Sequence, residues 1–235
     1  MTSPQRHTSD EAEMPVVIAV NGVDLVLDPS GAVWWRDERT LLVADLHLEK
    51  GSSFARSGQL VPPYDTMATL QRLAQVADAR GARRVVMLGD AFHDPYAGER
   101  IAGDALAAIA ELGRGRDLVW ISGNHDPAPP AAVVGDRLDI LRVGGLVLRH
   151  LPGRQAEAGE IAGHLHPVAR VKTRAAVVRR ACFLSDTRRM ILPAFGAYTG
   201  GINVRDAAFD GLFVAPRVHV LGARRVLPMA MDRLV

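Results

Sequence analysis

The feature that most constrains the fold of this chain is a series of short apolar runs that each lead into potential ligand residues. The run from Leu41 ends on the motif DLH at 45–47, the run at 85–88 leads to GD at 89–90, and the run at 118–121 leads to GNHD at 123–126. Short continuous apolar runs predict buried strands, and the helical patterns between them, at 67–77 and 101–112, predict amphipathic helices. The first half therefore predicts alternating strands and helices, which is an α/β layered fold.

The remainder of the chain predicts mostly strands. Asn21-Gly22 lies between β-like runs at 16–20 and 23–27, which is a strong hairpin signal. The second half contains short β-like runs at 146–149, 175–179, 182–184, 190–192 and 212–214, with no long helical pattern. We find no repeat and no linker. We therefore expect residues 1–14 to form a loose tail and residues 15–235 to form one domain with mixed sheets.

Composition favours a globular protein over a disulfide-linked or membrane-spanning one. Hydrophobic residues make up 48% of the 235 residues and charged residues 23%, which suits a globular domain with an apolar core. Cys182 is the only cysteine, so no disulfide forms within the chain, which suits a reducing cytoplasm. The first residues, up to about Met14, lack the apolar stretch of a signal peptide, and no apolar run approaches the roughly 20 residues that span a bilayer. We expect a soluble cytoplasmic protein without a membrane partner, and the net charge of +2 is compatible with an anionic substrate.

The polar residues that follow the strands predict a metal site. Ligands in open α/β sheets gather outside the carboxyl ends of the strands. Further histidines follow downstream, at His150 and in the motif GHLH at 163–166, where His164 and His166 could point toward the same site. Carboxylate, amide and imidazole ligands suit Mn, Fe or Zn better than a metal that prefers thiolates.

Taken in order, these motifs resemble the calcineurin-like metallophosphoesterase superfamily. The stretch VADLHLEKGSSFARSGQLVPPYDT at 43–66, with LGDAFHD at 88–94 and GHLHP at 163–167, is similar to the ligase-associated DNA damage response phosphoesterases of the PdeM type. This resemblance implies an α-β-β-α sandwich with mixed sheets. It also implies a DNA endonuclease that hydrolyses phosphodiester bonds by a two-metal mechanism and functions in DNA repair with a ligase and a helicase.

Two other functions stay open at this point. The same metal chemistry would serve a phosphodiesterase or phosphatase that acts on small nucleotides or cyclic nucleotides. A scaffold that has lost catalysis is a further alternative, against which the intact ligand set and His125 argue.

The resemblance also implies a role for each motif residue. Asp45, His47 and His166 would hold the first divalent ion, and Asn124, His150 and His164 the second, with Asp90 bridging both. Mn²⁺ is the expected metal, with Fe, Zn or Mg as alternatives. For a single aspartate after a strand, a turn-forming role is an equal alternative.

The resemblance makes His125 a general acid that protonates the leaving oxygen, with Asp126 orienting or charging its ring. Imidazole suits this role because its pKa lies near working pH.

Several polar residues near these motifs have no assigned role. His93 and Asp94 could contact the phosphate or belong to a surface loop. Lys50, Ser52, Ser53 and Arg56 could touch substrate phosphates or form a solvated loop. The most basic segment, 161–190, could follow a nucleic-acid backbone or form a solvated face. It contains one acid, Asp186, and the cations Arg170, Lys172, Arg174, Arg179, Arg180, Arg188 and Arg189.

Overall fold

The computed structural model describes residues 14–155 and 157–235, and its first sheet contains seven strands that lie in sequence order. The strands are β1 (Val16–Val20), β2 (Val23–Leu27), β3 (Val33–Trp35), β4 (Thr40–Val43), β5 (Arg84–Met87), β6 (Asp117–Ile121) and β7 (Asp136–Leu138). The first four pair antiparallel, and the pairs from β4 to β7 are parallel. The parallel pairing brings the carboxyl ends of β4, β5 and β6 to one edge.

The second sheet is built from the rest of the chain. Its strands are β8 (Ile140–Val143), β9 (Leu146–Arg149), β10 (Glu160–Ala162), β11 (Pro167–Lys172), β12 (Val177–Ser185), β13 (Arg189–Ile191), β14 (Ile202–Asn203), β15 (Arg217–Leu221) and β16 (Val226–Met229). The order is β14-β11-β12-β13-β10-β9-β8, with β15 and β16 attached to β12. Parallel β9 and β10 end at the same edge, where an isolated bridge between Ala44 and Ala194 joins the two sheets.

Helices cover the first sheet. They are α1 (Lys50–Arg56), α2 (Asp65–Arg80) and α3 (Gly103–Leu112). As the helical pattern predicts, α2 buries Leu70, Leu73 and Ala77 and ends at Gly81, whose φ of 62° provides a left-handed C-cap. Three short 3₁₀ helices complete the described helical structure, at Ala97–Glu99, Ala207–Phe209 and Met231–Arg233.

The core consists of three apolar layers. One lies between the helices and the first sheet, one between the two sheets, and one on the outer face of the second sheet. Alternation along β4 shows how one strand serves two of them, because Leu41 and Val43 face the helices while Leu42 faces the second sheet. This sandwich with mixed sheets confirms the expected fold class. Short 3₁₀ turns, which include Phe209 and Met231, cover the outer face of the second sheet.

Of the strands predicted in the second half, one is wrong and two are parts of a single strand. The predicted runs at 175–179 and 182–184 both lie in β12, which begins at Val177 because Ala175 and Ala176 lie in the turn that Thr173 closes with its hydroxyl. The predicted strand at 212–214 is a loop. Its backbone is satisfied by side chains, since Leu212 accepts a hydrogen bond from Arg189 and Val214 donates one to Asp186.

The predicted tail lies outside the described residues except for Met14, and the domain boundary stays a prediction. None of the helices in the described ranges is long and apolar enough to cross a membrane. The cytoplasmic location also stays a prediction.

Candidate metal centre

The predicted ligands lie in the loops that follow the strands, where the two sheets meet. After β4 the chain keeps hydrogen bonding to the loop after β5, since the His47 amide donates to the Asp90 carbonyl at 2.9 Å. Asp45, His47, Asp90, His164 and His166 all adopt left-handed backbone conformations, with φ between 44° and 70°. Such φ values are uncommon for residues other than glycine, and strained backbone of this kind clusters at functional sites.

The first group of side chains comprises Asp45, His47 and His166, which could hold one metal ion. The His166 Nε2 lies 3.2 Å from an Asp45 oxygen and 3.4 Å from the His47 Nε2. Asp45 is fully buried, and both its oxygens accept hydrogen bonds from the His164 amide, the shorter being 2.9 Å. The carboxylate is therefore held in place by the backbone of the loop that carries His166.

The second group comprises Asp90, His150 and His164. His150 Nε2 lies 3.4 Å from an Asp90 oxygen, 3.2 Å from His164 Nδ1 and 2.8 Å from Asn124 Oδ1. All seven predicted ligands therefore belong to two adjacent groups.

The chemistry of the His150 ring tests whether a cation fits this second group. His150 Nδ1 lies 3.0 Å from the Leu88 carbonyl, which can only accept a hydrogen bond, so Nδ1 carries the proton. Burial lowers the pKa of His150, but hydrogen bonding to Asp90 and the nearby Asp45 carboxylate raise it overall, so without a metal ion Nε2 holds a proton between the oxygens of Asn124 and Asp90. A divalent cation would take the place of this proton, and a backbone carbonyl behind a ligating histidine is a usual arrangement in metal sites. The residues present therefore fit a metal ion.

The glycines of the motifs leave room for these ligands. A Cβ on Gly163 would lie 2.5 Å from Asp45 Oδ2 and 2.8 Å from the Ala44 Cβ. A Cβ on Gly89 would collide with the His150 ring, and one on Gly123 with the backbone amide of Asp90. The glycines in GD, GNHD and GHLH are thus required for close packing around the two groups.

An open cavity of about 290 Å³ lies against these side chains. Its lining includes residues of both groups, together with Lys50, His93 and His125. Residues 200–202 form another part of its wall. A small anionic group could enter this cavity and meet both groups of ligands.

Comparison with solved structures gives a nuclease as a relative. The crystal structure of the Pseudomonas putida nuclease MPE matches with a TM-score of 0.70 and 30% sequence identity, over 92% of this chain and 100% of that chain. The chain belongs to the calcineurin-like metallophosphoesterases. It is thus a hydrolase of the metal-dependent phosphodiesterase class, with two groups of ligands for two divalent ions.

A phosphoesterase from E. coli, YfcE, matches with 15% identity over 83% of this chain and 96% of that chain, at a TM-score of 0.38. This second similarity is too weak to bear on function. Searches with protein-family models and against curated proteins found no match.

Electrostatics favour neutral imidazole in the first group of this metallophosphoesterase. Burial and the neighbouring His166 lower the pKa of His47 to about 3. Burial alone would raise the pKa of Asp90, but hydrogen bonding to His150 and the charge on that ring lower it to about 2. At neutral pH the site therefore presents a neutral His47 and an ionised Asp90, which are the forms that bind divalent ions.

His125 lies beside the metal ligands of the metallophosphoesterase without joining either group. Its backbone amide donates to Asp90 Oδ1 at 2.9 Å, and its half-exposed ring stacks on His93 with 5.6 Å between centroids. His125 Nδ1 lies 3.0 Å from the His93 carbonyl and must donate to it. This leaves Nε2 facing the site, 4.0 Å from Asp90 Oδ2.

The described hydrogen bonds of Asp126 do not include the His125 ring. Its carboxyl is buried and accepts a hydrogen bond from the Phe92 amide at 2.9 Å, while the His93 carbonyl takes the proton of His125 Nδ1. Burial raises the pKa of Asp126 to about 7. Asp126 therefore joins the loops after β5 and β6, and orientation of the His125 ring by this carboxyl stays a prediction without a described contact.

The residues near the motifs whose roles the sequence left unassigned differ in whether they contact the site. Lys50 lines the cavity and His93 touches His47, with 3.4 Å between their Nδ1 atoms. Ser52 instead bonds Glu49 and Arg100, and Asp94 pairs with Arg100, so these residues brace the start of α1. Arg56 is exposed and does not line the cavity.

The sequence reasoning missed the wall formed by residues 200–202. The glycine pair Gly200-Gly201 was the signal that could have found it. Gly201 packs against the His166 carbonyl and the Val168 side chain, which requires a residue without a Cβ.

Proposed function

We propose that this metallophosphoesterase is a nuclease that hydrolyses phosphodiester bonds in DNA. Similarity to the Pseudomonas putida nuclease supports the substrate class, and the two adjacent ligand groups beside an open cavity support the chemistry. The observation that carries most weight is the left-handed backbone of five ligand residues, since this conformation costs about 1–3 kcal/mol per residue and needs a functional reason.

We assign the ligands as follows. Asp45, His47 and His166 hold one ion, and Asn124, His150 and His164 hold the other. Asp90 is proposed to bridge both, supported by its contact with His150 and its electrostatic interaction with His47. When bound, two divalent ions supply positive charge that binds phosphate oxygens and promotes ionisation of water. Mn²⁺ is the proposed metal, because the ligand set mixes carboxylate, amide and imidazole.

The protein's own residues then position and protonate the substrate. Lys50 lies on the cavity wall, where its ammonium attracts a phosphate. The His93 carbonyl fixes the tautomer of His125, so that protonated His125 donates from Nε2 to the departing oxygen. The Asp90 carboxylate near that nitrogen stabilises the charged ring. His93 and His125 act from the loops after β5 and β6, and Lys50 acts from the first turn of α1.

A substrate panel tests this function. The Mn²⁺-loaded protein is assayed with bis-p-nitrophenyl phosphate, p-nitrophenyl phosphate, cyclic nucleotides, and single- and double-stranded DNA, each with an EDTA control. We expect cleavage of the diester and of DNA, lost in EDTA and restored best by Mn²⁺. Turnover of cyclic nucleotides or monoesters with no cleavage of DNA would favour the small-nucleotide alternative. The DNA-repair role and association with a ligase and a helicase rest on the sequence resemblance and stay predictions.

A further inference from the structure

A basic hairpin, formed by β11, β12 and the turn between them (residues 167–185), begins directly after the ligand His166. It contains five cations and no acid, the cations being Arg170, Lys172, Arg174, Arg179 and Arg180, and all five are exposed. A strand rises about 3.3 Å per residue, so Lys172 lies about 20 Å along β11 from His166. The hairpin is therefore a cationic surface that starts at the metal centre and leads away from it.

Strand register places three of these cations on one face of the hairpin. Arg170 lies opposite Arg179, and Lys172 is two residues from Arg170, so the three side chains share a face. The other face packs Ala169, which is fully buried, and Val171, which is partly buried, into the outer core. It also carries Arg180, which lies opposite Ala169 and is exposed. The cations therefore project outward together.

This arrangement is unfavourable without an anionic ligand. Like charges directly opposite each other on two strands destabilise the pairing, and Arg170 faces Arg179. Among the described residues no acidic side chain forms an ion pair with any of the five cations. Arginines on the helical side of the molecule differ, since Arg80, Arg114 and Arg116 each pair with an acid. An ordinary solvated face mixes both signs of charge, whereas this hairpin carries cations only.

The cationic face continues into the cavity at the metal centre. Arg179 donates from Nη2 to the Gly201 carbonyl at 2.7 Å, and Gly201, like His125, lines the cavity. The guanidinium thus lies between the outer cations and the ligand groups. Arginine suits phosphate recognition because its planar fork matches phosphate oxygens and is weakly hydrated.

We propose that the outward face of the basic hairpin binds the sugar-phosphate backbone of a nucleic-acid strand whose scissile phosphate lies at the metal centre. This inference rests on the proposed function and adds the surface that holds the strand. A strand with a phosphate about every 3.4 Å of helix axis presents several phosphates along the hairpin. The hairpin should therefore contribute to long substrates and not to a small diester.

The test is a charge-removal variant, Arg170→Gln combined with Lys172→Gln. The matched control is Arg36→Gln with Arg114→Gln, which removes two exposed arginines near the amino ends of the strands, away from the site. For each protein with Mn²⁺, kcat/KM is measured on a DNA oligonucleotide and on bis-p-nitrophenyl phosphate from low to high salt. Thermal unfolding is followed as well, because removal of the Arg170–Arg179 repulsion should leave stability unchanged or slightly raised.

We expect kcat/KM on DNA to fall by about tenfold, and the slope of its logarithm against the logarithm of salt to flatten by about 1.4 for two lost contacts to a single strand. The small diester and the control variant should change by less than about twofold. An unchanged salt slope on DNA, or equal losses on both substrates, would overturn the inference, and the hairpin would then be solvated surface or a site for an acidic protein. If wild type turned over the diester and neither cleaved nor bound DNA, the proposed function itself would fail, and the inference with it.

Discussion

The substitution Gly163→Ala tests how closely the two ligand groups are packed. The added Cβ would lie 2.5 Å from Asp45 Oδ2, 2.8 Å from the Ala44 Cβ and 3.2 Å from the Leu88 carbonyl. All three neighbours belong to fully buried residues, and Asp45 is also held by the His164 amide. The methyl group therefore has to displace either the carboxylate or the loop that carries His164 and His166.

Two opposing contributions determine how far Gly163→Ala changes the free energy of unfolding. Overpacking a closely packed site costs about 1–3 kcal/mol, while replacing glycine by alanine stabilises by about 0.4–1 kcal/mol through the unfolded chain. We expect the free energy of unfolding of the metal-free protein to fall by about 1–2 kcal/mol. A displaced Asp45 should weaken binding of the first metal ion by about 10–100-fold, as for loss of a residue that supports a ligand.

Urea unfolding in EDTA measures the stability change, and calorimetric titration with Mn²⁺ measures the affinity of each site. The matched control is Gly200→Ala, because Gly200 also lines the cavity and a Cβ there would meet no atom within 4 Å. The control should be neutral or slightly more stable, with wild-type metal affinity. Wild-type Mn²⁺ affinity in Gly163→Ala would refute the reasoning, since Asp45 would then tolerate displacement or would not be a ligand.

Three further predictions address single side chains. Asp90→Asn should nearly abolish turnover and leave well below two ions per chain by metal analysis, whereas two retained ions with a normal rate would make Asp90 a turn residue only. His125→Asn should keep both ions but slow DNA cleavage by about 10²–10⁴-fold, the usual loss for a general acid. Hydrolysis of bis-p-nitrophenyl phosphate should slow less, because p-nitrophenolate leaves without a proton. Equal losses on the two substrates would indicate that His125 positions the phosphate instead. In the folded, metal-free protein the pKa of Asp126 is about 7, so its carboxyl binds a proton as the pH falls below 7. In the unfolded chain the same carboxyl binds a proton only at the much lower pH of its ordinary pKa. Wild type should therefore gain about 2 kcal/mol of stability relative to Asp126→Asn between pH 8 and pH 5, and a constant difference across that range would contradict a buried, protonated carboxyl.

The first half of the fold could be predicted because local pattern and tertiary environment agree there. Strands such as β4 and β5 are covered by protein on both faces, so their sequences consist largely of consecutive apolar residues. The helix α2 has an apolar stripe along one side and ends at a C-cap glycine, Gly81, and both features can be recognised in the sequence. The segment at 212–214 has the same apolar composition as a strand, but side chains of Arg189 and Asp186 satisfy its backbone from a distance. No local pattern reports such long-range hydrogen bonds.

The basic segment shows a second limit of sequence reasoning. Arg189 belongs to the same run of cations as Arg170, yet its side chain is fully buried and its Nε lies 2.7 Å from an oxygen of the equally buried Glu160. Composition counts both residues alike, although one is enclosed within the second sheet and the other projects into solvent. The difference is set by the sheet: Arg189 lies on β13, between β12 and β10, whereas Arg170 lies on the exposed hairpin of β11 and β12.

The sequence could predict the candidate ligands, but not how their side chains meet. Alternation along an extended segment would send His164 and His166 to the same side. Instead, both adopt left-handed conformations, and His164 joins Asp90 while His166 joins Asp45. Single left-handed residues are rare outside glycine because the Cβ approaches the backbone, so propensity argues against this geometry at a histidine. The motif glycines explain this geometry. Without a Cβ, Gly163 packs directly against Asp45 and Gly89 against the His150 ring, so the strand ends approach closely and restrict the conformations of the neighbouring ligands. What the motifs encode is therefore this close approach as much as the ligands themselves, and the strained ligand conformations follow from it.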